Sequence, residues 1–196
     1  MMLWYLMRAF GLVSLIALTA STALGALATI GGTDPVALDR RLLRQLVHRS
    51  CAVIGLVALV LHIVCAVVDS YVDVSVSAAI LPFGSGFRPV ATAVGVLGVY
   101  AVVVAALSGA LRGRLAASAR AARCWRAVHT AAYAGWLLSM AHGLFAGTDT
   151  HAWWGAAVYA ASGLAVFAAF LTRIFGERLR RDRDPRGHLR LTGAHR

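Results

Sequence analysis

Lysine is absent from this chain of 196 residues, and its eight acidic residues are outnumbered by nineteen arginines. None of the long apolar runs contains Asp or Glu, which argues against a proton pathway through a membrane because such pathways usually contain carboxylates. The three cysteines form no CxxC or other metal-type spacing, so neither a zinc site nor a redox-active thiol pair is indicated. No glycine-rich phosphate loop is present, which excludes a flavin or nicotinamide domain within this sequence.

Apolar residues make up 60% of the chain and charged residues only 14%, and the mean hydropathy is +0.74. This composition is typical of a membrane protein. The sequence predicts an all-α, polytopic bundle over residues 1–175, and an Arg-rich tail, 176–196, that is expected to be disordered. A cleaved signal peptide is the alternative for the first apolar window. Five windows have the length of about 20 residues that a transmembrane helix needs: residues 9–30, 47–68, 90–111, 125–147 and 152–173.

The arginines lie between these windows and therefore indicate orientation. Residues 31–49 hold four arginines against two acids, residues 112–126 hold five and no acid, and the segment from residue 173 holds eight against three. Positively charged loops stay in the cytoplasm, so the N-terminus is predicted on the outer side of the membrane and the tail on the cytoplasmic side. The predicted location is the plasma (inner) membrane, where the helices would contact lipid. Arg8 disagrees with this orientation. The net charge of +11 is then a topological signal and not a sign of nucleic-acid binding.

Four of the seven histidines fall on two predicted membrane helices that this topology makes parallel. His48 and His62 are fourteen residues apart on the second, and His129 and His142 are thirteen apart on the fourth. These spacings correspond to about 21 and 20 Å along a helix. The two histidines nearer the inner membrane face can therefore face each other, and so can the two nearer the outer face. Opposed neutral imidazoles between helices are what two six-coordinate b-type hemes require. The histidines therefore predict two stacked hemes, and all four are candidate iron ligands.

One glycine lies between the two histidines of each predicted helix. Gly55 is seven residues from both His48 and His62, and Gly135 is seven residues before His142. At two helical turns from a ligand, a missing side chain leaves room for a flat macrocycle, so both glycines are candidate heme-contact residues. Close packing of helices explains a glycine equally well.

Arginines are concentrated at the predicted ends of the histidine pairs. Arg44, Arg49 and Arg126 surround the inner pair at the cytoplasmic boundary, where guanidinium groups suit heme propionates. Arg88 is the candidate for a propionate or an anionic partner on the outer side. For any one of these residues, topology alone is the competing explanation.

The thirteen-residue spacing is the weakest part of this pattern. On an ideal helix, fourteen residues return a side chain to within about 40° of its starting face, but thirteen leave it roughly 140° away. His129 and His142 would need either hemes that are offset sideways or a local distortion of the helix. Gly135 and Ser139 are the predicted positions of such a distortion.

The histidine spacing resembles that of the ferric reductase-like transmembrane domain. This group includes ferric reductases, NADPH oxidases and the heme-binding membrane subunit of the periplasmic methionine sulfoxide reductase system. The segments LPFGSGFRP, CWRAVHTAAYAGWLLSMAHG and HGLFAGTD add to the resemblance, which covers roughly residues 45–175. It implies an inner heme on His48 and His129, an outer heme on His62 and His142, and electron flow from the cytoplasm outward. Respiratory cytochromes b also place two histidines on each of two helices, but these segments are closer to the ferric reductase group.

The sequence departs from that group in two respects. Its reductases and oxidases carry cytoplasmic flavin and nicotinamide domains and usually have six membrane helices, whereas this sequence shows no such domain and five windows. The resemblance therefore implies an electron-transfer subunit of an oxidoreductase. Its donor would be a separate cytoplasmic flavoprotein or quinol. Its acceptor would be an extracytoplasmic flavin-binding protein, a molybdopterin protein or ferric iron.

Two other functions compete with heme ligation. The first is a heme-free transporter or assembly scaffold whose histidines relay protons or hold the bundle together; the apolar cores without carboxylates argue against the relay. The second is a thiol oxidase, which needs a CxxC-like pair near the outer face. Only Cys65 lies near that face, whereas Cys51 and Cys124 are predicted near the inner one.

Overall fold

The computed structural model of the chain describes residues 1–28, 34–70 and 74–183, with side chains as far as residue 176. Within these ranges all regular secondary structure is helical. A 3₁₀ turn at Asp149–His151 precedes the last helix. The α-helices are α1 (Met2–Leu27), α2 (Pro35–Val68), α3 (Val76–Ile80), α4 (Pro89–Ala110), α5 (Arg112–Leu115), α6 (Ala119–His129), α7 (Ala131–Ala146) and α8 (Trp153–Arg183).

Capping side chains explain where several helices begin. The Asp34 carboxylate accepts a hydrogen bond from the Ala37 amide at 3.0 Å, and Pro35 occupies the first turn of α2, where its missing N–H costs nothing. Ser75 and Ser118 cap α3 and α6 in the same way. These three polar side chains thus fix the first turns of α2, α3 and α6.

Among the described residues, four helices are long and apolar enough to cross a membrane: α1, α2, α4 and the Trp153–Gly176 part of α8. These agree with four of the five predicted windows. The remaining window, 125–147, is divided at Thr130 into α6, of 11 residues, and α7, of 16 residues. The Thr130 hydroxyl donates to the Ala127 carbonyl at 2.5 Å, and so competes with the backbone hydrogen bonds of the helix. The distortion predicted at Gly135 or Ser139 therefore lies elsewhere, directly after His129.

α2 and α8 extend into segments that were predicted as loop and tail. α2 begins at Pro35, twelve residues before the apolar window, so that most of the predicted loop 31–49 is helical. α8 continues to Arg183, and the first eight residues of the predicted tail are therefore helical as well. Residues 184–196 lie outside the described ranges. The charged segments at the start of α2 and the end of α8 are compatible with a helix, so each continues the apolar helix beyond its predicted window.

The helices pack as two hairpins that meet through α1. α1 lies antiparallel along α2, and α4 lies antiparallel along α7; α1 also packs on α7 and α8. In the described part of the chain, the backbones of α2 and of α6 and α7 approach each other closely at few positions, if at any. Valine side chains along the free face of α2 are half exposed or more, including Val53, Val57 and Val60, as expected for a surface in contact with lipid.

Arg8, whose charge disagreed with the predicted topology, forms an ion pair. Its Nε donates to the Asp149 carboxylate at 2.8 Å, and its Nη2 binds the other carboxylate oxygen. The guanidinium also lies 4.1 Å from the centre of the Trp4 ring. Asp149 therefore neutralises Arg8 and joins α1 to the turn between α7 and α8.

Candidate functional site

The space between α2 and the α6–α7 segment contains two facing pairs of histidines. The rings of His48 and His129 have centroids 6.3 Å apart and planes at 74°. The rings of His62 and His142 are also 6.3 Å apart, with planes at 79°. The structure thus brings together the same two pairs that the sequence predicted, and α2 runs parallel to α6 and α7. We call the first the inner pair and the second the outer pair.

Each ring is oriented by one backbone carbonyl. A carbonyl oxygen only accepts, so Nδ1 carries the proton in every case and Nε2 is left with a free lone pair. No hydrogen bond to any of the four Nε2 atoms is found within the described residues. The Nδ1 atoms donate to the carbonyls of Ser21 (His48, 2.8 Å), Met7 (His62, 2.8 Å), Ala105 (His129, 3.0 Å) and Ala91 (His142, 2.7 Å).

The ring separation fits one metal ion held by two imidazoles. With a metal–nitrogen bond of about 2.0 Å and about 1.1 Å from nitrogen to ring centre, two rings on opposite sides of one ion have centroids roughly 6.2 Å apart. The observed separation in both pairs is 6.3 Å. No group of three or more His, Cys, Asp or Glu side chains is found in the described ranges. A centre with exactly two protein ligands therefore suits this donor set better than a structural zinc site, which takes four.

A glycine on the neighbouring helix faces each ring, and none of these four glycines was among the predicted site residues. A Cβ added to Gly95 would lie 2.6 Å from His142 Nδ1, and one added to Gly11 would lie 2.9 Å from His62 Nδ1. Gly25 and Gly109 face His48 and His129, with 3.2 Å to the nearest ring atom. Each glycine follows the carbonyl that binds the same ring by four residues, one helical turn. The neighbouring helix thus provides a carbonyl that accepts from the ring, and the glycine leaves the space in which the ring can approach that carbonyl.

These four glycines also reveal an internal repeat. Gly11 and Gly25 are fourteen residues apart on α1, and Gly95 and Gly109 are fourteen apart on α4. The histidines of α2 are also fourteen residues apart and those of α6 and α7 are thirteen apart, so each hairpin presents two glycines against two imidazoles. A search for equal spacings on successive apolar helices could have found this signal.

Gly55 and Gly135 lie between the two levels and face the neighbouring helix. A Cβ on Gly55 would lie 2.8 Å from the Leu18 side chain, and one on Gly135 would lie 2.8 Å from the Val102 side chain. Leu18 and Val102 each lie midway between the two ring-facing glycines of their own helix. Close helix packing therefore accounts for both glycines, and the space expected beside them for a macrocycle is filled by α1 and α4.

The inner pair has polar neighbours that the outer pair lacks among the described residues. The Ser21 hydroxyl lies 3.1 Å from His48 Nδ1, and the Ser108 hydroxyl lies 3.0 Å from His129 Nδ1. The Trp125 ring stacks on His129 at 5.3 Å, and its Nε1 donates to the Ser108 carbonyl at 2.9 Å. Trp125 thus supports one of the inner rings.

The candidate arginines have different surroundings. Arg44 donates from Nη1 to the Leu27 carbonyl at 2.8 Å, and so caps the end of α1. Arg49 and Arg126 are exposed near the inner pair. Arg88, in the left-handed conformation with φ 41°, is exposed and donates from Nη1 to the Phe145 carbonyl at 2.6 Å. Arg44 and Arg88 therefore have backbone partners, whereas no described partner occupies Arg49 or Arg126.

The chain was compared with protein-family models, with curated proteins and with solved structures, and none of the three comparisons found a match.

Proposed function

We propose that the protein carries electrons across a membrane through two b-type hemes, one on each histidine pair. The observation that supports this most directly is the 6.3 Å separation of two rings whose Nδ1 atoms are both bound by carbonyls. Such a hydrogen bond fixes the tautomer and the ring orientation of a metal-ligating histidine. His48 and His129 would hold the inner heme, and His62 and His142 the outer heme.

The surroundings of the rings suit this group. Because the backbones of α2 and of α6 and α7 come close at few positions, if at any, the space between these helices would be bounded by the rings themselves and by the flanking helices. The glycines of α1 and α4 let each ring lie close to a helix, and the ring edge with Nε2 is then directed away from it. The helices that carry and flank the rings, α1, α2, α4 and α7, are rich in apolar residues, which would help to keep water from a bound metal and so help to set its potential.

The proposed topology has five membrane crossings, of which α6 and α7 together form one. The pairs are about 21 Å apart along α2, so both fit within a hydrocarbon core of about 30 Å. The arginines of α5 and α6, with no acid in residues 112–126, support an inner location for this end. The N-terminus would then be outside and the C-terminus inside.

The chain would act as the membrane subunit of an oxidoreductase, as its resemblance to the ferric reductase-like domain implies. Heme supplies a one-electron carrier at each level. The imidazoles would bind and orient it, and the packed layer of Leu18, Gly55, Val102 and Gly135 would separate the two levels. The donor would be a cytoplasmic flavoprotein or quinol, and the acceptor an extracytoplasmic flavin, molybdopterin or ferric centre.

Heme content tests this function. Protein purified from heme-sufficient cells is expected to contain about two b-type hemes per chain. Its reduced spectrum is expected to show the sharp α band of low-spin, six-coordinate iron, measured after dithionite and by the pyridine hemochrome method. A folded, helical preparation that remains free of heme would contradict the proposal and favour a structural or proton-relay role for the histidines.

Electron paramagnetic resonance tests the ring geometry. The ligand planes in both pairs are close to perpendicular, at 74° and 79°. Perpendicular imidazoles leave two iron d orbitals nearly equal in energy, so oxidised protein is expected to give a highly anisotropic low-spin signal with one strong low-field feature. A rhombic signal with three resolved features, from either heme, would show that the rings turn on binding.

A further inference from the structure

Two buried serines distinguish the inner histidine pair from the outer. The hydroxyls of Ser21 and Ser108 lie 3.1 and 3.0 Å from the Nδ1 atoms of His48 and His129. Both serines are almost fully buried, with 6% and 4% of their surface exposed. In the outer pair, His62 Nδ1 and His142 Nδ1 have one carbonyl partner each and no hydroxyl within the described residues.

The direction of these hydrogen bonds follows from the other partners of the hydroxyls. Ser21 Oγ can donate its proton to the His48 carbonyl at 3.2 Å, and Ser108 Oγ can donate to the Ala105 carbonyl at 2.8 Å. Each hydroxyl oxygen therefore has its lone pairs free to accept from the imidazole Nδ1–H. Each inner Nδ1–H is shared between a carbonyl and a hydroxyl, whereas each outer Nδ1–H has a carbonyl alone.

A second acceptor on Nδ1–H changes the electronic character of the ring. It draws the proton away from the ring, and the other nitrogen then becomes a stronger electron donor to a bound metal. A stronger donor stabilises the oxidised metal more than the reduced one, since the oxidised form carries the larger positive charge. The midpoint potential of a metal on such a ring is therefore lowered.

We propose that Ser21 and Ser108 lower the potential of the inner heme relative to the outer and so favour electron flow outward. This inference rests on the proposed function. It makes the two serines positioning residues that act through His48 and His129. Without them, the two levels would have nearly the same hydrogen bonding to Nδ1, and burial and charge alone would set the direction.

Spectroelectrochemical titration of single-serine and double variants tests the inference. Ser21→Ala and Ser108→Ala are each expected to shift the inner heme toward the reduced form by roughly three- to tenfold, where tenfold corresponds to 59 mV for one electron. The double variant is expected to shift it further, and the outer heme is expected to stay unchanged. To assign the inner potential, the same substitutions are titrated in a His62→Ala background, in which only the inner pair remains complete.

Ser14→Ala is the matched control. Ser14 is also buried on α1, but its hydroxyl donates to the Gly55 carbonyl at 3.0 Å, between the two levels. Its loss is expected to change stability without changing either potential. Inner potentials that do not rise, or a common shift of both hemes in the serine variants and the control alike, would overturn the inference. A parent protein without heme is a different result, visible before any titration, and it would overturn the proposed function itself.

Discussion

His62→Ala is expected to reduce the heme content from about two per chain to about one, because the outer iron loses one of its two protein ligands. The inner pair shares no residue with the outer, and its rings are held by different carbonyls of α1 and α4. The remaining heme should keep a low-spin, six-coordinate spectrum. Pyridine hemochrome assay and reduced-minus-oxidised spectra measure the loss.

His151→Ala provides the control for His62→Ala. His151 is an exposed histidine at the 3₁₀ turn, outside both pairs. The His151→Ala variant is expected to retain both hemes. An unchanged spectrum in His62→Ala, or equal losses in the two variants, would contradict ligation by the outer pair. His142→Ala should reproduce His62→Ala, since the two residues would bind the same iron.

Gly95→Ala is expected to weaken the outer heme site strongly, although it adds only a methyl group. The new Cβ would lie 2.6 Å from His142 Nδ1, closer than real contacts allow, and it would push the ring from the Ala91 carbonyl. Overpacking of this kind costs about 1–3 kcal/mol, which corresponds to a loss of roughly five- to 150-fold in affinity. Heme titration into apo-protein and measurement of its release to apo-myoglobin would report the change.

The other glycines provide a graded series for the same experiment. Gly11→Ala, with 2.9 Å to the nearest ring atom, should weaken the outer site less than Gly95→Ala. Gly25→Ala and Gly109→Ala, with 3.2 Å, should affect the inner site mildly. Gly163→Ala is the matched control, because a Cβ there meets nothing within 4 Å. Losses that ignore this order, or that affect both sites equally, would mean that the glycines serve general folding and not ring placement.

The histidine pairs could be predicted because they depend on two simple quantities. Helical rise sets the depth of His48, His62, His129 and His142, and the alternation of charged loops makes their helices parallel. Both quantities can be read from sequence without knowing which helices touch. The four apolar helices that could span a membrane were predicted for the same reason.

The remaining parts of the site depend on tertiary packing. Gly55 was expected beside a cofactor, but the face of α2 that meets Leu18 is decided by how α1 docks, which periodicity does not reveal. Gly95 and Gly109 gave no polar signal, since glycine is common in apolar helices. The break at Thr130 depends on the hydrogen bond from its hydroxyl to a carbonyl of its own helix. A threonine in an apolar run does not by itself predict such a bond.

That break makes the two levels mechanically unequal. His142 lies within α7, which packs along α4, whereas His129 is the last residue of the short α6, which is fixed to α4 through the bond from Trp125 to Ser108. A load applied to the arginines of α6 would tilt α6 about Thr130. The ring of His129 would move with α6, and the ring of His142 would stay in place. Under the proposed function, the electron entrance would then adapt to its donor without disturbing the exit.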